Sequence, residues 1–311
     1  MGFDTSHHPV DESLVDRALG HILRGAPIDD LLADAVRIAK VRFRANAWGL
    51  GLTRVDGVEG FDAHLHVWGR PFFITVDQGI GEAIDRYLGA AVEDVDAIAR
   101  EMIAHLDPSL VDRVTPDDGG QLPDDAALAE QIGGTLGLLH RAWQGVDLNA
   151  PIALPSGDHA PARELLEREV PFAVLRFVAD LRPGWMDRGY VWPTNLIAEA
   201  RGHGGDAFGA PSRLLGAIAD HEHLSPFAPP TITENYMVGG YLSAPSVRSV
   251  REAIDAQHET LAAVYDEPGQ EIAPMRTSVR KLREALADAD ERGFAFCEAT
   301  EVYSGFSGIM N

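Results

Sequence analysis

Apolar residues recur every three to four positions over most of the chain and every second position in a few short stretches. Leu14, Val15, Ala18, Leu19 and Ile22 fall on one helical face, with Asp11 placed to cap the helix and Gly25 to stop it. Leu31, Leu32, Ala35, Val36, Ala39 and Phe43 repeat that spacing in a second helix. The period then shortens. Residues 47–55 read as a strand, and in 61–68 Phe61, Ala63, Leu65 and Val67 alternate with Asp62, His64 and His66. Gly69-Arg70-Pro71 turns the chain into a returning strand over 72–76, which makes 61–76 a hairpin. Helical spacing returns at 81–88 and 92–106.

Residues 107–124 are acidic and rich in proline and glycine, and they are the best boundary in the chain. Beyond them the pattern is mainly helical. Leu128, Ile132, Leu136, Leu139 and Trp143 form one stripe, and Leu165, Leu166 and Val170 begin another that Pro171 is expected to kink or restart. Val247, Val250, Ile254, Leu261 and Val264 mark a helix that Ser243 can cap. Val279, Leu282, Leu286 and Ala289 mark a last one, closed by Arg292-Gly293. Short strands are expected within 234–242 and 294–303. The fold class that follows is α+β: an N-terminal helix-flanked antiparallel sheet containing the hairpin 61–76, then a mainly helical region. Residues 1–115 form the mixed segment. Residues 116–311 form the helical one with its short C-terminal strands, separate from the first or continuous with it.

Composition narrows the class of protein. Among 311 residues, 45% are hydrophobic and 24% charged, which excludes disordered and collagen-like chains. Lys and Arg number 26 against 48 Asp and Glu, a net charge of −22. Nucleic acid and anionic membrane surfaces repel such a body, so neither is expected as a partner. The first dozen residues lack the basic and apolar regions of a signal peptide, and a cytoplasmic location is the expectation. Cys297 is the one cysteine and excludes an internal disulfide. It sits in a segment, 294–299, that reads as a half-buried strand, and it is expected to act there as a small hydrophobe.

The sharpest chemical signal is Asp62-Ala63-His64-Leu65-His66. On a strand these polar side chains share one face, about 6.5 to 7 Å from one to the next. Two imidazoles so placed can converge on one ion, zinc for example, at about 2.0 to 2.1 Å each. His7 or His8 can supply a third ligand if the N-terminal segment pairs beside the hairpin, and Asp62 can orient a ligand from behind. The bland alternative is that these histidines are solvated or hydrogen-bonded positions on a sheet face. The segment FDAHLHVW resembles the DxHxH opening of amidohydrolase-type metal enzymes over about eight residues. Those enzymes are (β/α)8 barrels in which HxH ends the first strand. In this chain two helices and a strand come first, and the HxH strand turns straight into a hairpin. The resemblance therefore does not carry that family's function over.

Other signals are weaker. His221-Glu222-His223 cannot chelate together from a helix, and His140 reads as a helix-surface histidine. Dinucleotide, P-loop, HExxH and EF-hand patterns are absent from the sequence. Two turn-rich aromatic stretches, one with Trp185, Tyr190 and Trp192 and one with Glu234, Asn235 and Tyr236, are either packing loops or a recognition surface for a small molecule or a partner side chain. Two functions remain open. One is a metal-dependent enzyme of hydrolase type, with His64, His66 and His7 or His8 as ligands and metal-bound water as nucleophile. The other is a non-catalytic acidic protein of immunity or inhibitor type that binds a basic protein partner.

Overall fold

A computed structural model describes residues 5–58, 80–144, 147–154, 156–182, 184–187, 238–264 and 274–300. The chain is α+β. Its elements, in order, are β1 (Thr5–Val10), α1 (Glu12–Arg24), α2 (Asp29–Thr53), α3 (Ile80–Leu88), α4 (Val95–Leu106), α5 (Asp125–Trp143), β2 (Pro151–Ala153), β3 (His159–Pro161), α6 (Ala162–Leu181), β4 (Trp185–Asp187), β5 (Val238–Leu242), α7 (Ala244–Val264), α8 (Pro274–Arg292) and β6 (Ala295–Thr300). Single 3-10 turns occupy Val92–Asp94 and Pro108–Leu110. Two compact units emerge: residues 1–28, 133–179 and 184–302 form the first, and 29–132, 180–183 and 303–311 the second. Residues 107–124, where composition suggests a boundary, fall inside the second unit. The hairpin 61–76 lies outside the described residues.

The first unit is built on an antiparallel sheet in the order β4-β1-β6-β5, with β2 and β3 as a separate two-stranded ribbon. One strand of this sheet comes from residues 1–115 and three from 116–311. α8 packs on β1, β4 and β6, and α7 packs on α8 and β6. Val247, Val250, Ile254 and Leu261 of α7 and Val279, Leu282, Leu286 and Ala289 of α8 are buried, as their spacing requires. Local signals placed the ends of α1: Asp11 accepts from the Ser13 amide at 2.9 Å, and Gly25 closes the helix at φ 68°. Gly293, at φ 66°, closes α8, and the Phe294 amide reaches back to the Ala289 carbonyl at 2.8 Å. α6 runs on through Pro171 as one element, so the helix does not restart there.

The second unit packs α2 against α3 and α4. Here a sequence reading fails, because residues 47–53 continue α2 and are not a strand. The Trp48 indole donates to Asp96 at 2.8 Å, and Arg44 grips the same carboxylate through Nε at 2.6 Å and Nη2 at 2.9 Å. A side chain at Gly51 would collide with the Thr115 carbonyl, so the two glycines that lower helix propensity here include one that admits a crossing backbone. Arg37 donates to the Leu88 and Ala90 carbonyls at 2.6 and 2.8 Å and so satisfies the end of α3. Arg42 and Asp180 form a buried pair at 3.3 Å.

Candidate functional site

Burying an ionisable group costs several kcal/mol unless partners compensate, so a concentration of such groups marks a place where chemistry has outweighed stability. Among the described residues of the first unit, the buried polar or charged ones are Ser6, His7, His8, Lys281, Asp288 and Glu298. All lie on β1, β6 and the helix that covers them, α8.

The antiparallel register fixes their arrangement. His7 stands opposite Glu298, and His8 opposite Cys297. Directly opposed residues share a sheet face with Cβ atoms about 4.5 to 5.5 Å apart. One face thus pairs a buried imidazole with a buried carboxylate, exposed 2% and 0% respectively. Phe296 lies beside this pair, its ring centroid 6.2 Å from that of His7. The opposite face carries His8, Cys297 and, from β5, Tyr241, whose hydroxyl donates to Glu12 at 2.5 Å. The Ser6 hydroxyl donates to the Ala299 carbonyl at 3.2 Å. On α8, Lys281 and Asp288 are seven residues apart and share a helical face, and Asp288 accepts from Arg292 Nε at 2.7 Å.

The electrostatics distinguish the two faces. Burial, and after it the neighbouring His7, pushes the His8 pKa down to about 3, so this ring is neutral at physiological pH. Burial, with a smaller contribution from Glu298, raises the Cys297 thiol well above its ordinary range. It donates instead to the Glu298 carbonyl at 3.3 Å, as expected of a packed hydrophobe and not of a nucleophile. The strand 295–299 is buried on both faces, however, and not half-buried.

The predicted site residues divide as follows. His7 and His8 are interior and on opposite faces, so one of them at most can face any given ion. β1 is paired on both sides over Thr5–His7, by β4 and by β6. Asp62, His64, His66, Tyr190, Trp192, Glu234, Asn235, Tyr236 and the 221–223 motif lie outside the described residues. Trp185 is not in a loop: it belongs to β4 and stands in register with His7. Among the described residues no group of three or more His, Cys, Asp or Glu is placed to hold a metal. Glu298 was missed by the sequence reading. Its signal was present, because Phe294-Ala295-Phe296-Cys297-Glu298-Ala299 offers a single polar residue in an otherwise apolar run.

No protein-family model, curated protein or solved structure matches the chain. The described strands form an open sheet and a ribbon, and not the closed parallel barrel of the enzymes that the DxHxH segment resembles. Among the described residues, no helix is long and apolar enough to cross a membrane.

Proposed function

We propose that the chain is a metal-dependent enzyme of hydrolase type, with His64 and His66 as ligands and Asp62 orienting one of them. The observation that supports this reading most is the alternation Asp62-Ala63-His64-Leu65-His66, which on a strand sets two imidazoles on one face. Two imidazoles so placed are a donor set suited to a divalent ion, and an ion there would lower the pKa of a bound water towards neutrality.

Metal analysis of the purified protein tests the reading. A stoichiometric divalent ion is expected, lost on chelation and reduced in His64→Ala and His66→Ala variants that keep their circular dichroism. Metal-free protein whose affinity for added zinc is the same in all three forms would remove the proposal. The net charge of −22 favours a second reading, an acidic module that binds a basic protein partner. Its binding would weaken steeply with salt and ignore chelators, because exposed charges are screened over about 8 Å at physiological ionic strength.

A further inference from the structure

The two histidines His21 and His140 are 119 residues apart in sequence and belong to no motif, yet the first unit brings their rings together. His21 is in the last turn of α1 and His140 near the end of α5, with ring centroids 5.7 Å apart and planes tilted by 39°. Each ring uses Nδ1 on a backbone carbonyl: His21 on Ala26 at 2.7 Å, His140 on Ile22 at 2.9 Å. A carbonyl only accepts, so Nδ1 carries a proton in both rings, which leaves Nε2 as the nitrogen each ring can offer to an ion. With the proton on Nδ1, His140 Nε2 is the acceptor towards the Gln144 side-chain nitrogen 2.8 Å away.

We infer that His21 and His140 form a surface binding site for a borderline divalent transition ion such as zinc, nickel or cobalt, ligated through the two Nε2 atoms. Three observations converge on it. A carbonyl bond at Nδ1 is the support that metal-bound histidines commonly have, because it fixes the tautomer and raises the basicity of the other nitrogen. Two imidazoles that share an ion at about 2.0 to 2.1 Å from each nitrogen have centroids roughly 5 to 6.5 Å apart, and 5.7 Å falls within that interval. The space is also kept open. Gly25, at φ 68°, would place any Cβ 3.0 Å from both Cε1 and Nε2 of His140, so the capping residue leaves this edge of the ring clear. Both rings are half-buried and Gln144 is exposed, so water can complete the coordination shell. Gln144 must release His140 when the ion binds, and it is therefore a built-in competitor.

The site is separate from the one proposed above, and its test keeps the two apart. Zinc and nickel are titrated calorimetrically into the full chain carrying His64→Ala and His66→Ala. One ion should still bind, with affinity at least tenfold weaker in His21→Gln and in His140→Gln. Glutamine can keep the carbonyl hydrogen bond while offering no imidazole nitrogen. Gln144→Ala should bind several-fold more tightly, and zinc should shift the Nε2 nitrogen resonances of both rings while Nδ1 stays protonated. Unchanged affinity in the two histidine variants, or zinc that leaves both Nε2 resonances in place, would overturn the inference and leave the pair as a brace between α1 and α5.

Discussion

Acid should weaken the first unit through His8. The unfolded chain takes up a proton on this imidazole near 6.5, and the folded one near 3. Between those values the unfolded state binds more protons, so stability is fully present above pH 6.5 and drains away as the pH falls towards 3. The whole interval corresponds to about 5 kcal/mol, and by pH 5 about 2 kcal/mol is already lost. Desolvation is the larger cause and His7 the smaller, so the effect belongs to the position of His8 in the sheet. The perturbation is His8→Asn, and the assay is hydrogen exchange at the β6 amides, compared at equal pH so that intrinsic rates cancel. The variant starts out less stable at pH 7.5, since it underfills a buried site. The gap between the two proteins should then narrow by about 2 kcal/mol on going to pH 5. Two opening free energies that run parallel between pH 7.5 and 4.5 would refute the reasoning, because they would place the acid sensitivity elsewhere.

Gly51→Ala should destabilise the second unit by about 1 to 3 kcal/mol in urea denaturation, since the new methyl meets the Thr115 carbonyl. Gly134→Ala on α5 meets nothing within 4 Å and should stabilise by roughly 0.5 to 1 kcal/mol, which makes it a control for helix propensity. Asp96→Asn should cost about 0.5 to 1 kcal/mol after solvent screening, and the loss should shrink in 1 M salt. The hydrogen bonds from Arg44, chiefly, hold the Asp96 carboxyl below its ordinary 3.8. Its contribution is therefore present above pH 3.8 and lost as the pH falls through the lower folded value.

What could be read from the sequence was local. Asp11, Gly25 and Gly293 act within one or two turns of themselves, so their residue types alone located the ends of α1 and α8. The stripes on α5, α7 and α8 were equally legible, because burial follows the helical period. Residues 47–53 misled for a physical reason. Gly49 and Gly51 lower helix propensity, and only the backbone at Thr115, more than sixty residues away, explains why Gly51 is needed in the helix. The candidate site failed to show for the same reason. His7 acquires its meaning from Glu298, and His21 from His140, and no periodicity or spacing joins residues so far apart. Pro9 likewise argues against an interior strand, yet β4 ends its pairing at His7 and leaves Pro9 with a ladder on one side only.

The pairing of β1 with β6 also governs how this protein is made. The Ser6 hydroxyl bonds to a carbonyl 293 positions downstream. A ribosome adding about 5 to 20 residues per second needs roughly 15 to 60 s to cover that distance. Throughout this time the nascent β1 is a strand without its long ladder, and β5, once made, waits for the same central partner. An unpaired strand edge invites pairing with other chains, so the emerging N-terminal segment is a natural client for chaperones. The sheet of the first unit closes only when β6 leaves the exit tunnel, so a translation arrest shortly before Ala295 would release a chain with its helices largely made and its sheet still open.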